Sequence, residues 1–499
     1  MDIFEIMRVV LTWQNLLALI IGGFYGLVIG ILPGIGGSAG MALAFPLIIN
    51  LHPLTALIFM ASLYRVSNYG GSITAIMLNT PGDSSNAATI LDGFPMCEKG
   101  QSGVALGISA TGAAVGGTLG VIVLILFTPI LAEFALKFGP AEYFLVAIFA
   151  LSIISAVIKG ATIKGLISAV LGLLFATVGY DIMAGHPRFT FGMYFLEDGV
   201  PFIQALVGFF AISQALSLSE TTLAISKVGK LAGSFWQGFK IYFKHPTVIV
   251  RSTLVGLWLG VLPAVGQATS GLVAYADAVR SSRHPETFGK GEPAGVVASE
   301  TSTNACMPGD LVCTIALGIP GSVGAAVFLS IMIVFGVIPG PLIFTEKADV
   351  ISGLFFSMIL IQIFVLVIGF TVARYIARIS LIPNEVIVPA IIVVSLLGSY
   401  AIRNMMVDVI LSVAFGFLGY IMRKAGYNPI PLILGLVLGA MVEENFHRAL
   451  KISKGSYFIF FSSPISKLLV ILIILSLTSP YIGPLFRKAY AATRGKWAH

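Results

Sequence analysis

The chain has 499 residues, of which 57% are hydrophobic and 10% charged, with a mean hydropathy of +0.98. A water-soluble fold of this size would expose more apolar surface than water tolerates, so the composition excludes a soluble globular protein and places the chain in a lipid bilayer. The formal net charge of +7 is read as the excess of Lys and Arg that cytoplasmic loops of membrane proteins carry, and nothing supports nucleic-acid binding.

In chain order, the N-terminal MDIFEIMRVVLTW lacks a basic region ahead of a short apolar core and a small-residue cleavage site, so the first apolar run is expected to stay as a helix. That run, residues 14 to 32, is interrupted by GILPGIGGSAG (Gly30 to Gly40). The next, 41 to 63, leads to a second interruption, MLNTPGDSSNAA (Met77 to Ala88). Runs at 104–131, 142–158, 162–179 and 200–218 follow, the first carrying Gly103, Gly107, Gly112, Gly116 and Gly120 at spacings suited to close helix packing. A basic stretch, 224–246, interleaves Lys227, Lys230, Lys240 and Lys244 with Leu231, Phe235, Trp236, Phe239, Tyr242 and Phe243. It is read as an amphipathic helix lying in the membrane interface, with an ordinary solvated linker as the alternative.

Beyond it come a third interruption, GVLPAVGQATSG (Gly260 to Gly271), and a fourth, ALGIPGSVGAA (Ala316 to Ala326). Five further apolar runs end near residue 486, before a tail with Arg487, Lys488, Arg494 and Lys496 and no acid. The tail and the basic stretch are expected on the cytoplasmic side. Since a crossing needs about 20 residues, the runs amount to about ten to twelve crossings plus broken or re-entrant hairpins.

The interruptions are paired. Pro263 follows Pro33 by 230 positions and Pro320 follows Pro81 by 239. Gly139-Pro140-Ala141-Glu142 is echoed by Ile382-Pro383-Asn384-Glu385, and Gly179-Tyr180 by Gly419-Tyr420. The expected fold is therefore an all-α polytopic membrane protein made of two tandem homologous repeats, 1–223 and 247–499, joined by 224–246. Broken hairpins fall near 32–38 and 79–85 in the first repeat and near 262–269 and 308–322 in the second. An odd number of crossings per repeat would invert one against the other.

Unwound backbone is tolerated at membrane depth only where it lines a cavity or is buried in protein, so paired breaks mark a binding site. Helices restarting after the breaks offer free N–H groups and a positive dipole end to an anion: Gly34, Gly36, Gly37 and Ser38; Ser84 and Ser85; Gly266, Thr269 and Ser270; Gly321 and Ser322. The preceding half-helices end in carbonyls that, with Asn79, Thr80, Asn304 and Asp310, offer hard oxygen ligands to a small cation. The alternative is that the glycines and prolines are ordinary kinks. Asp310 is open to three readings: a cation or proton ligand, a helix cap, or a residue in a wet vestibule. Asp83 is read as an N-cap, and the role of Glu300 stays open. Cys97, Cys306 and Cys313 lack the spacing of a disulfide framework or a metal site, so no transition-metal site and no cofactor are expected.

The run YGGSITAIMLNTPGDSSNAATILDGFPMCEKGQSGVALGISA (Tyr69 to Ala110) and the run FGKGEPAGVVASETSTNACMPGDLVCTIALGIPGSVGAAV (Phe288 to Val327), followed by Pro339-Gly340-Pro341, carry a resemblance. Over nearly its full length the chain resembles the large membrane subunit of the tripartite tricarboxylate transporter family, TctA. The resemblance implies a bacterial inner-membrane secondary transporter, driven by a cation gradient, commonly sodium, with protons the other possibility. It also implies two partners: a small TctB-like membrane subunit and a periplasmic TctC-like binding protein that delivers an organic acid such as citrate or another di- or tricarboxylate. The chain departs from the family pattern at Ala264, Thr303, Asp310 and Cys313. A passive anion channel is the nearer rival function. An intramembrane aspartyl protease is the enzymatic one, but no Gly-x-Gly-Asp surrounds Asp83 or Asp310, and there is no His-Glu-x-x-His for metal hydrolysis.

Overall fold

A computed structural model describes residues 3–32, 35–157, 162–181, 183, 185–220, 232–262, 265–372 and 384–478. The flanks of the first and third breaks are therefore described, but Pro33, Gly34, Pro263 and Ala264 lie outside the described residues, together with Lys227, Lys230, Leu231 and the C-terminal tail. Among the described residues, regular structure is helical apart from one small hairpin, Gly179–Tyr180 paired with Pro187–Arg188. Among them, seven helices are long and apolar enough to cross a membrane. Large side chains such as Ile21, Leu126, Ile130, Ile363 and Ile410 point outward on them, a surface suited to lipid and not to water.

The chain divides into two compact units, Met1–Ala135 with Leu206–Tyr420, and Leu136–Ala205 with Ile421–His499. Each draws on both halves of the sequence. The larger contains every break. Its helices include α1 (Ile3–Val10), α2 (Trp13–Ile31), α3 (Gly36–Ile48), α4 (Pro53–Leu78), α5 (Ala87–Glu98), α6 (Ser102–Ala135), α7 (Phe235–Tyr242), α8 (Pro246–Val261), α9 (Gly266–Ser281), α10 (Pro293–Leu317), α11 (Val323–Val334) and α12 (Ala348–Thr371), followed by Asn384–Arg403.

Two long helices form the centre. Every residue of α4 from Leu54 to Leu78 is buried, as is every residue of α10 from Ala294 to Ala316. Neither is among the seven apolar spans, because both carry many polar groups, including Ser62, Arg65, Ser67 and Asn68 on α4 and Ser299, Glu300, Thr301 and Asn304 on α10. Such side chains are costly against lipid and are satisfied here by neighbouring helices.

Glycine sets how closely the neighbours approach. On α2, Gly22, Gly26 and Gly30 face the carbonyls of Phe59, Leu63 and Ser67 of α4, and a Cβ at any of them would overlap those oxygens. On α8, Gly256 and Gly260 face the carbonyls of Ser302 and Cys306 of α10 in the same way. Small residues at four-residue spacing let two helix backbones touch, which supplies the dispersion contact that drives association in lipid. The same device recurs along α6, where Gly112, Gly116 and Gly120 meet Glu300, Thr301 and Ala305 of α10 in ascending order. On α12, Gly353 meets Leu54 and Gly369 meets Tyr69 of α4.

The helices stop for local reasons. Leu32 and Leu262 leave the helix in extended conformations (φ −77°, ψ 113° and φ −77°, ψ 121°). The chain re-enters helix at Gly36 and Gly266 with φ of +68° and +69°, a backbone region that glycine enters without steric cost. α4 ends at Asn79, left-handed with φ 55°, and α10 at Gly318 with φ 71°. After each comes Pro-Gly, and then an N-cap: Asp83, which accepts from Ser85 N, and Ser322, which accepts from Ala325 N.

The described part of the basic stretch, α7, is a short helix. Gly238 and Tyr242 are buried against α6 and α10, while Trp236 and Phe243 are exposed. Trp236, Phe235 and Phe239 gather round Phe370.

The smaller unit packs Pro140–Val157, Thr162–Ala176, Pro429–Ile452 and Pro464–Thr478. Gly172 lies against the Leu432 carbonyl and Gly435 against that of Ala169. Arg188 of its hairpin bonds Glu443 Oε2 at 3.0 Å and Asp181 at 3.0 Å.

Gly26→Val puts two methyl groups where the Leu63 carbonyl stands. It is expected to destabilise the purified protein by about 2 kcal/mol or more, well beyond a lipid-facing control such as Ile122→Val. Thermal unfolding in detergent measures the difference.

Candidate functional site

Three polar systems occupy the centre of the larger unit. The first joins the breaks. Asn86, in the turn before α5, donates to the Asn68 carbonyl (3.0 Å) and to Ser72 Oγ (2.9 Å) of α4. Asn68 donates to Gln267 Oε1 of α9 at 2.9 Å, and Gln267 Nε2 donates to Tyr64 Oη of α4 at 2.9 Å. Tyr64 Oη lies 3.4 Å from Ser322 Oγ at the start of α11. One chain of bonds thus runs from the second break past the third and reaches the fourth. The first break adjoins it, since a Cβ on Gly36 would stand 2.7 Å from Asp83 Oδ2, and one on Gly37 would meet Ser67 Oγ and Tyr64.

The second system is a buried charge cluster. Arg65, 1% exposed, donates through Nε to Gln362 Oε1 of α12 at 2.8 Å, through Nη1 to Asn304 Oδ1 and through Nη2 to the Ala113 carbonyl of α6. Asn304 in turn donates to the Glu300 carbonyl (2.7 Å) and to Glu300 Oε2 (3.2 Å), while Thr89 Oγ1 of α5 donates to Glu300 Oε1 at 2.7 Å. A guanidinium and a carboxylate are therefore joined through one carboxamide whose oxygen faces the cation and whose nitrogen faces the anion. Five helices meet there. Such a cluster is tolerable inside a membrane protein only with its hydrogen bonds filled.

The third is Asp310. It is fully buried; Oδ1 accepts weakly from Cys306 Sγ at 3.7 Å, and Oδ2 meets no donor among the described residues.

The residues singled out in the sequence fall into distinct settings. Gly36, Gly37 and the half-buried Ser38 open α3 beside Asp83. Ser84 is exposed and donates to Asp83 Oδ1 at 2.9 Å; Ser85 is buried, and its carbonyl accepts from Thr303 Oγ1 at 3.5 Å. Gly266 opens α9 with no atom among the described residues, its own chain neighbours aside, within 4 Å of where its Cβ would be, and Thr269 is half-buried one turn on. Ser270 faces away from that opening, with its Oγ 2.6 Å from Ser302 Oγ. Gly321 backs onto the Gly260 carbonyl and Asp310, so its surroundings are acceptor oxygens, which repel an anion. Ser322 spends its oxygen on the Ala325 N–H.

Of the oxygen ligands, Asn79 is exposed at the end of α4, and Thr80 donates to the Leu78 carbonyl at 3.2 Å. Asn304 belongs to the Arg65 cluster. No hydrogen bond among the described residues joins these three to Asp310 or to one another.

Sequence reasoning passed over Arg65, Tyr64, Asn68 and Gln267. A signal existed for the first, because an arginine inside a long apolar stretch marks a partnered site by default. Asp92 was missed as well: fully buried on α5, it accepts from Gly291 N and Glu292 N at 2.8 Å each and from Tyr275 Oη at 2.9 Å, which ties α5 to the start of α10. No group of three or more His, Cys, Asp or Glu placed to hold a metal ion occurs among the described residues.

Comparison with known proteins bears on this arrangement. The family model described as tripartite tricarboxylate transporter TctA family matches residues 16–434. A protein of Agrobacterium vitis, described as an uncharacterized 52.8 kDa protein in the TAR-I ttuC' 3' region, is 33% identical over 460 residues, covering 91% of each chain. Another from the same organism, in the TAR-II ttuC' 3' region, is 31% identical over 211 residues, 42% of this chain and 87% of its own length. No solved structure matches.

Arg65→Leu strands Glu300 in the interior, and Glu300→Leu strands Arg65; each is expected to lower stability by about 3–5 kcal/mol. The double substitution removes both charges and is expected to cost less than the two single effects combined, by about 1–3 kcal/mol. Unfolding of the three variants in detergent forms the cycle.

Proposed function

Because the chain belongs to the tripartite tricarboxylate transporter TctA family, whose members are multi-pass membrane transporters and not enzymes, we propose that it is the large membrane subunit of a bacterial inner-membrane system for cation-coupled uptake of an organic di- or tricarboxylate. The observation that carries this reading is the meeting of four helix breaks around Tyr64 and Gln267 inside a single compact unit. Irregular backbone at membrane depth is otherwise hard to accommodate.

The direction of the helices favours alternating access. α12 follows α4 in rising order, through Gly353 to Leu54, Gln362 to Arg65 and Gly369 to Tyr69. It passes α6 in the opposite sense, through Gly369 to Ala110 and Gln362 to Gly117. α10 follows α6. If α4 and α10 are counterparts, as are α6 and α12, corresponding helices point in opposite directions, and the halves are inverted repeats able to interchange two conformations.

At the substrate site, the two re-entry glycines differ. The start of α3 already faces the Asp83 carboxylate, whereas the start of α9 is open at Gly266. The substrate carboxylate is therefore assigned to the N–H groups and dipole of α9, beginning at Gly266 and Thr269. The coupling cation is sodium, with protons as the competing driver, and belongs among the oxygens of the breaks. Capture at low concentration depends on the periplasmic binding protein, and assembly on the small membrane subunit.

Reconstituted vesicles containing both partners provide the test. An imposed sodium gradient is expected to drive accumulation of one member of a carboxylate panel, with counterflow of labelled substrate. Equilibration that follows neither a sodium nor a proton gradient and shows no counterflow would make the protein a passive pore. Gly266→Val is expected to weaken apparent substrate affinity about tenfold or more, or 1.4 kcal/mol, whereas the equally open Gly289→Val leaves it unchanged.

A further inference from the structure

The second and fourth breaks share a plan but differ in charge. Along them, residues 239 apart occupy like positions: Ser67 and Cys306 receive the last glycine of α2 and of α8, Gly70 and Gly309 back onto Gly30 and Gly260, and Gly82 and Gly321 lie against the Gly30 and Gly260 carbonyls. The same spacing sets Asp310 opposite Gly71, and Ala325 opposite Asn86.

In the second break the position is filled. A Cβ on Gly71 would run into Asn86 Oδ1. The Asn86 carboxamide is itself satisfied, donating to the Asn68 carbonyl and Ser72 Oγ and accepting from Asp83 N at 3.3 Å. A neutral, fully bonded amide closes that pocket.

In the fourth break Ala325 leaves the room empty of side-chain amide, and the Asp310 carboxylate enters from α10 instead. The place a Cβ on Gly321 would take lies 2.9 Å from the Gly260 carbonyl oxygen and 3.2 Å from Asp310 Oδ1. The Gly321 backbone thus packs closely against two acceptor oxygens and brings them near each other. Gly260 sits in the last turn of α8, where carbonyls lack intrahelical N–H donors, and the negative end of the helix dipole lies beside Asp310. Arg65 cannot neutralise Asp310, being engaged by Asn304, Gln362 and Ala113. The start of α11 sets the Ser322 side chain beside Asp310, and Cys306 Sγ reaches Oδ1, but Oδ2 meets no donor in hydrogen-bond geometry among the described residues. A buried carboxylate with one oxygen left so, beside a second acceptor, is an incomplete arrangement that a cation completes.

We propose that the fourth break holds a single sodium-sized cation between the Asp310 carboxylate and the Gly260 carbonyl, which the absence of a side chain at Gly321 lets approach each other, and that the second break has no such site because Asn86 fills it. Hard cations of this radius take oxygen ligands at about 2.3–2.6 Å. The inference deepens the cation-coupled reading above and rests on it only for the role of the ion, not for its place.

The test is the thermal unfolding midpoint of the purified full chain, titrated with sodium chloride at constant ionic strength against choline chloride. The wild-type midpoint is expected to rise saturably. Asp310→Asn is expected to raise the half-saturating sodium concentration by about tenfold or more. Gly321→Ala, which keeps the charge and presses a methyl group against both oxygens, is expected to do the same. Glu300→Gln, the other buried carboxylate of α10, lowers the midpoint without moving half-saturation. A folded Asp310→Asn or Gly321→Ala protein with wild-type sodium response overturns the site, as does a wild-type midpoint that responds through Asp310 to pH but not to sodium. Vesicle uptake separates the two levels: sodium-driven uptake that persists unchanged in Asp310→Asn sinks the site and keeps the transport reading. Sodium-indifferent uptake by a protein whose sodium stabilisation requires Asp310 keeps the site and sinks the coupling.

Discussion

A helix interrupted inside hydrocarbon leaves N–H and C=O groups that lipid cannot satisfy, and the larger unit is organised around that constraint. Its four breaks do not lie apart. They are gathered beside α4 and α10, whose polar side chains supply the partners that water would supply elsewhere: Asn68, Gln267 and Tyr64 pass hydrogen bonds from one break to the next. The close approach this requires comes from glycine. With any side chain at Gly26, Gly30, Gly256 or Gly260, the outer helices would stand off from α4 and α10, and the breaks would lose their partners.

A second consequence concerns charge. Arg65 and Glu300 are too deeply buried to be solvated, so each is held by directed bonds from several helices, and Asn304 lies between them with its dipole aligned to both. An arrangement of this kind contributes little net attraction once desolvation is counted, yet any rearrangement that separates its members costs several kcal/mol.

The paired breaks resemble one another in backbone and differ in what fills them. The start of α3 faces Asp83 while that of α9 is open, and Asn86 closes a space that Asp310 enters on the other side. A binding site for an anion with its cation needs such asymmetry, because two identical half-sites would attract the same charge twice. Opposite charges placed close together in a low-dielectric interior offset each other's desolvation, which makes the binding of each depend on the other.

The sequence alone determined that the chain belongs in a membrane and that its helices are broken at four places, and it showed similar motifs at the breaks, with prolines 230 and 239 positions apart. Those features follow from local chemistry: apolar run length, proline without an N–H, and glycine's access to positive φ, as at Gly36 and Gly266. It also pointed to Asp310 as an anomaly. Only the tertiary structure decided which polar groups meet. Asn304 looked like a cation ligand in sequence because its carboxamide is a hard oxygen donor, and packing set it against Arg65, 239 residues away; Gly321 looked like part of an anion site, and packing backed it onto acceptor oxygens. The division has a physical cause: where a helix ends depends on neighbours within a turn, whereas what a buried side chain touches depends on which distant helix the glycine contacts bring against it.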